Sequence, residues 1–185
     1  MQITPLPGSK LYQLRGGEIL RRVSIKKETK DKDVLHMNRS TAREIAVRLS
    51  YELSFTDMEA DMLLDQTLTE EYFRGLAQED SLYSEVPDEK QAQYIRKLVC
   101  GVAEHAAELD SYIEKYAVGW KFERIPLVAS AIMRVAMYEA LYMPEIPNAV
   151  AINEALEIAK KYEDEKVIAF MNGILGSFVR QECGE

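Results

Sequence analysis

The chain has 185 residues, 47% hydrophobic and 29% charged, which suits one buried core, or one core plus an appendage. The net charge of −8 divides into +4 over residues 1–36 and −12 over residues 37–185, so the body is too acidic for indiscriminate nucleic-acid binding, although a local basic patch remains open. Cys100 and Cys183 stand far apart without CxxC spacing, and no apolar run has signal-peptide or membrane-span length, so the expectation is a cytoplasmic protein with free thiols.

Residues 1–36 read as a basic, flexible arm. "TPLPGS" and "GG" punctuate it, "LRRVSIKKETKDKD" is a charge run, and "EILRRVSI" alternates enough for a short strand. The alternative is an over-long start, with Met37 as the true beginning. From Ser40 the pattern is helical throughout. Ser40 or Thr41 caps a first helix carrying Ile45, Leu49 and Leu53. Asp57 opens a second apolar stretch and Thr69 a third. "SEVPDEK" breaks the chain before one long helix running from Tyr94 to Tyr116. Pro126 stands in the first turn of the next helix, which stops at Pro144 and Pro147. Asn148 caps "NAVAINEALEIAKKY", and "EKVIAFMNGILGSFVRQ" closes the chain. The expectation is an all-α fold of six or seven helices over residues 37–185.

A search for chemistry finds no HExxH, GxSxG or phosphate-cradling glycine loop. Neither His36 nor His105 has a Glu three residues before it, so the di-iron pattern is absent and no metal or cofactor is expected. Asn153, at the border of its helix's apolar arc, and Asn172, beside Gly173, read as structural ties hydrogen-bonded to neighbouring helices.

"IPNAVAINEALEIAKKY" followed by "AFMNGILGSFVR" resembles the C-terminal signature of the NusB transcription antitermination family. "RVAMYEALYMPEIP", "NRSTAREIAVRLSYELSF" and "YIRKLVCGV" are similar to its other helix motifs, so the resemblance spans about residues 37–180. It implies two small helical subdomains without enzymatic activity. It also implies binding of boxA-like single-stranded RNA with the small-subunit ribosomal protein NusE, within the RNA polymerase elongation complex on ribosomal RNA operons. Mapped residue by residue, Arg39, Arg43, Tyr51, Tyr94, Arg96 and Phe170 fall at or near the RNA face. Arginines neutralise phosphates and aromatic rings stack on unpaired bases. Core packing is the competing reading for Tyr51, Tyr94 and Phe170. Glu108, Tyr112 and Tyr116 are the expected partner surface, facing a basic protein.

Two departures from the family pattern remove positive charge: "NRSTAR" keeps two arginines where relatives have a cluster, and Ala169 stands where a Lys or Arg is frequent. Arg21, Arg22, Lys26 and Lys27 of the arm are candidates to compensate. The rival functional reading is an interaction-only helical module, or a homo-oligomer, that lacks RNA recognition.

Overall fold

A computed structural model describes residues 3–5, 11–14, 19–21, 37–120 and 124–184. Three short strands, β1 (Ile3–Pro5), β2 (Leu11–Leu14) and β3 (Ile19–Arg21), pair antiparallel in that order. The last falls within the alternating stretch. Arg22, Lys26 and Lys27 lie outside the described residues.

Eight α-helices follow among the described residues: α1 (Arg39–Leu53), α2 (Ala60–Thr67), α3 (Glu70–Leu76), α4 (Glu89–Glu104), α5 (Ala106–Tyr116), α6 (Leu127–Tyr142), α7 (Asn148–Tyr162) and α8 (Glu165–Glu182), with a 3₁₀ turn at Ser81–Tyr83. The expected all-α body is present, and the count exceeds six or seven because the long middle helix is two. It breaks at His105, whose φ of −100° and ψ of 14° leave the helical well. Periodicity did not reveal the break because the apolar spacing of three and four continues across it. Leu98, Val102, Leu109 and Ile113 are all buried.

Helix starts follow elementary capping chemistry, with some shifts. Thr69 and Asp88 accept from Tyr72 N and Gln91 N as their side chains predict, while α1 is capped by Asn38 Oδ1 at 2.8 Å from Thr41 N, not by Ser40 or Thr41. The second helix begins at Ala60, after Glu59 and not at Asp57. Pro147 precedes α7, so Asn148 is its first residue and makes no cap.

Helix α6 is the axis of the molecule and packs against α1, α4, α5, α7 and α8. Its residues from Val128 to Met133 and from Val135 to Glu139 are buried, so it is a core helix apolar nearly all round. Helix α4 comes close to it at Gly101, where a Cβ would stand 2.0 Å from Tyr138 Cζ. Only a residue without a side chain permits that approach. One continuous apolar core joins α1–α3 to α4–α8.

Candidate nucleic-acid interface

Helix α1 is buried along Ala42–Tyr51, and that stretch includes Arg43, Glu44 and Arg48. Buried charges are tolerated only when paired and hydrogen-bonded, and here two networks do this. In the first, Arg43 donates from Nε and Nη2 to the two carboxylate oxygens of Glu139 at 2.8 and 3.0 Å, and from Nη1 to Glu154 at 3.0 Å. Tyr94 OH donates to Glu139, and Ser40 Oγ to Glu154. Burial works against the Arg43 charge, but Glu139, Tyr94 and Glu154 outweigh it and raise its pKa. Burial, then the Glu139 carboxylate, raises the Tyr94 phenol, which therefore stays protonated as a donor.

The second network holds the other end of α1. Arg48 donates to Asp80 at 2.6 Å and to Tyr162 OH at 2.9 Å, and Tyr162 donates onward to Glu44 at 2.6 Å. Lys161 Nζ completes the set on Glu44. The two networks fix α1 against α6, α7 and the Ser81–Tyr83 turn.

The six residues expected at the RNA face are distributed unevenly. Arg43, Tyr51 and Tyr94 are in the core, 2–5% exposed. Tyr51 lies edge-on to the exposed Phe55, with ring centroids 4.8 Å apart. Arg39, at the start of α1, is half-buried and lays its guanidinium over the Tyr94 ring, 3.9 Å from the centroid. Arg96 is half-buried and bridges Asp61 and Asp65 at 2.6 and 2.7 Å, which ties α4 to α2 and offsets its charge. Phe170 is half-buried on α8 and stacks on Trp120, with centroids 4.5 Å apart and planes 31° apart. The structure thus joins Arg39, Arg43 and Tyr94 into one cluster and Phe170 into another.

Glu108, Tyr112 and Tyr116 share α5 and are all half-buried. Glu108 accepts from Tyr142 OH at 2.7 Å and meets His105 Nδ1 at 2.9 Å, and His105 in turn stacks on Tyr142. These hydrogen bonds, Tyr142's first, hold the Glu108 carboxyl below its ordinary range. Tyr112 and Tyr116 flank Phe178 edge-on, and Tyr116 donates to Glu182.

Sequence reasoning overlooked Trp120, the single tryptophan of the chain, which is 46% exposed in the turn after α5. It lies outside any periodic run, and only its type, a large aromatic in a Gly-containing turn, could have marked it. The asparagine expectation is corrected. Asn153 and Asn172 are both exposed, because the border of the apolar arc faces solvent, and the tie from α7 to Arg43 is made by the half-buried Glu154, next to Asn153. Gly173, beside Asn172, faces open space, since a Cβ there would meet nothing within 4 Å.

No group of three or more His, Cys, Asp or Glu among the described residues could hold a metal. A cleft of about 740 Å³ between the α1–α2 turn and α4 is lined by Ser50, Asp61, Cys100 and Arg134 among others. Cys100 is a free thiol, and burial and Asp61 push its pKa up, which opposes nucleophilic use.

An all-helical body with polar networks buried under its first helix, and an arginine and an aromatic pair left at the surface, has the features of a binding scaffold. A sequence model of the NusB family matches residues 40–180, and the chain belongs to that family. The transcription antitermination protein NusB of Thermoanaerobacter sp. (strain X514) is 38% identical over 146 residues, 79% of this chain and 93% of that protein. Among solved structures, T. maritima NusB superposes with a TM-score of 0.65 at 28% identity, covering 80% of this chain and 94% of that one. A chain from a crystal structure of a plectonemic RNA supercoil superposes with a TM-score of 0.61 at 25% identity, covering 77% and 94%. Among the described residues no helix is long and apolar enough to cross a membrane.

Proposed function

We propose that this NusB-family chain acts in the cytoplasm, without catalysis, as an antitermination factor that binds boxA-like single-stranded RNA. It does so together with NusE, and joins the RNA polymerase elongation complex on ribosomal RNA operons. The observation that carries the RNA reading is Arg39 lying over Tyr94 at the start of α1. The Tyr94 ring holds the Arg39 guanidinium in place, and the guanidinium sits where the helix N-terminus adds its own partial positive charge. In this reading Arg39 touches phosphate or base. Tyr94 carries Arg39, Arg43 fixes Tyr94 through Glu139, and Phe170 offers a stacking surface. Arg96 and Tyr51 support the scaffold.

For the partner, we assign the α5 side of the molecule, where Glu108, Tyr112 and Tyr116 combine an anionic carboxylate with two phenol edges. Such a surface suits a basic ribosomal protein. The basic arm, with Arg21, Arg22, Lys26 and Lys27, would supply further positive charge to the RNA.

Fluorescence anisotropy of a labelled boxA-like RNA tests the reading, using residues 1–185 and 37–185, each with and without NusE, at two salt concentrations. Specific binding that tightens with NusE, beyond a scrambled RNA, supports it. Complex formation with NusE but no RNA preference would leave an interaction-only module, and self-association without either would leave a homo-oligomer.

A further inference from the structure

Trp120 is placed by a built turn. Gly119 has φ +81°, a conformation that side chains disfavour, and Trp120 N donates to Ala117 O at 3.0 Å. The turn fixes the indole against Phe170 while leaving nearly half of it in water. Phe170 is half-buried against the core, but the indole stacked on it extends that apolar surface into water, which folding alone does not require.

A second observation comes from α8 itself. Gly173 stands in the interior of this 18-residue helix, where glycine is less favourable than alanine. It is exposed, and a Cβ there would meet nothing within 4 Å, so packing gives no reason for it. It lies three residues after Phe170 and therefore on the same helix face. Lys166, four residues before Phe170, shares that face and is exposed, whereas Glu165 points about 140° away around the helix. Arg124, beyond the turn, is also exposed. The face thus combines a flat aromatic pair, a bare backbone shoulder and a nearby cation.

We infer that Trp120 and Gly173 extend the RNA site from Phe170. The indole is a second stacking surface for an unpaired base, Gly173 is the gap through which the sugar–phosphate chain passes close to the helix, and Lys166 meets the adjacent phosphate. This rests on the RNA reading above. The chemistry is that of single-strand recognition, in which bases stack on aromatic rings and cations follow the backbone.

The single tryptophan makes the test direct. Titrating the full chain with unlabelled boxA-like RNA, with NusE present, should change Trp120 emission in step with the anisotropy of labelled RNA. Trp120→Ala should weaken RNA about tenfold, and Trp120→Phe should restore affinity to within about threefold of the natural chain. Gly173→Ala should raise Tm by about 2–4 °C and yet weaken RNA severalfold, a combination that a merely structural glycine would not give. Labelled RNA that binds with no change in Trp120 emission, and with Trp120→Ala and Gly173→Ala within twofold of the natural chain, would overturn this inference while leaving RNA binding intact. No binding of RNA by the natural chain under any condition would overturn both. Emission that responds to NusE alone would assign the face to protein and overturn the RNA assignment.

Discussion

Arg43 and Glu139 meet as a fork on a fork, with Nε to Oε2 at 2.8 Å and Nη2 to Oε1 at 3.0 Å, 2% and 0% exposed. The pair joins α1 to α6 across 96 residues of sequence. Removing Glu139 leaves Arg43 with only the half-buried Glu154 and the buried Tyr94 hydroxyl without its acceptor, so Glu139→Ala is expected to cost about 3–5 kcal/mol of stability. Urea unfolding of the two proteins would measure it, and a loss below 1 kcal/mol would mean that water reaches Arg43.

Tyr94→Phe separates the two roles of that ring. It deletes the donor to Glu139, an interaction with a charged group, and should cost about 1.5–3 kcal/mol. The face under Arg39 is kept, so RNA affinity at a temperature where both proteins are folded should stay within about twofold. A larger loss, seen by anisotropy, would mean that the phenol oxygen itself meets RNA.

Arg39 and Arg96 should behave oppositely on the RNA side. Arg39→Ala is expected to weaken RNA and to reduce the slope of log affinity against log salt by about one. Arg96 is already matched by Asp61 and Asp65, so Arg96→Ala should leave that slope unchanged and cost on the order of 1 kcal/mol of stability or less. Salt titrations of both variants decide it, and equal slopes would refute the distinction.

Glu163 gives the fold a pH dependence. Burial first, then the neighbouring Asp164, pushes its pKa up to about 7 from an ordinary value near 4.5. The folded state therefore binds this proton more tightly than the unfolded state. The resulting stability is fully present below pH ~4.5 and is lost as pH rises through 7. Glu163→Gln should be more stable than the natural chain at pH 8 by on the order of 1–3 kcal/mol and nearly equal to it at pH 4.5. Denaturant melts at the two pH values would show this, and a constant difference would place the proton elsewhere.

Gly101→Ala pushes a methyl into the Tyr138 ring, which is packed between α4 and α6. Overpacking of this kind should cost about 1–3 kcal/mol and shift both thermal and chemical midpoints. Gly101→Ala with Tyr138→Phe should recover little, because the ring carbons as well as the oxygen lie within 2.4 Å of the new atom.

How much of this was legible in the sequence depends on range. Thr69 and Asp88 acted as caps because their signals are local, and the helical class followed from periodicity. Arg43, Glu44 and Arg48 were not readable as core residues, because a charged side chain on a helix ordinarily marks the solvent face. Their partners at Glu139, Tyr162 and Asp80 are 32 to 118 residues away, where no periodic pattern reaches. Phe170 stood inside a recognisable motif, whereas Trp120 is brought to it by a turn whose geometry leaves no pattern. The exposed Asn153 shows the converse error. One position of helical rotation separates an exposed amide from the half-buried carboxylate of Glu154 that makes the tie.

The buried charges of α1 have a consequence for synthesis. This helix leaves the ribosome first among the eight described, yet the groups that neutralise Arg43 and Glu44 come 96 to 118 residues later, on α6 and α7. At ordinary elongation rates that is a delay of roughly 5–25 s. During that time α1 presents an apolar surface and two charges, Arg43 and Glu44, whose buried partners are not yet made, whereas Asp80 follows Arg48 by only 32 residues. The first helix made thus cannot reach its final place until α6 and α7 are out, and slowing translation between α5 and α7 should increase capture of the nascent chain by chaperones.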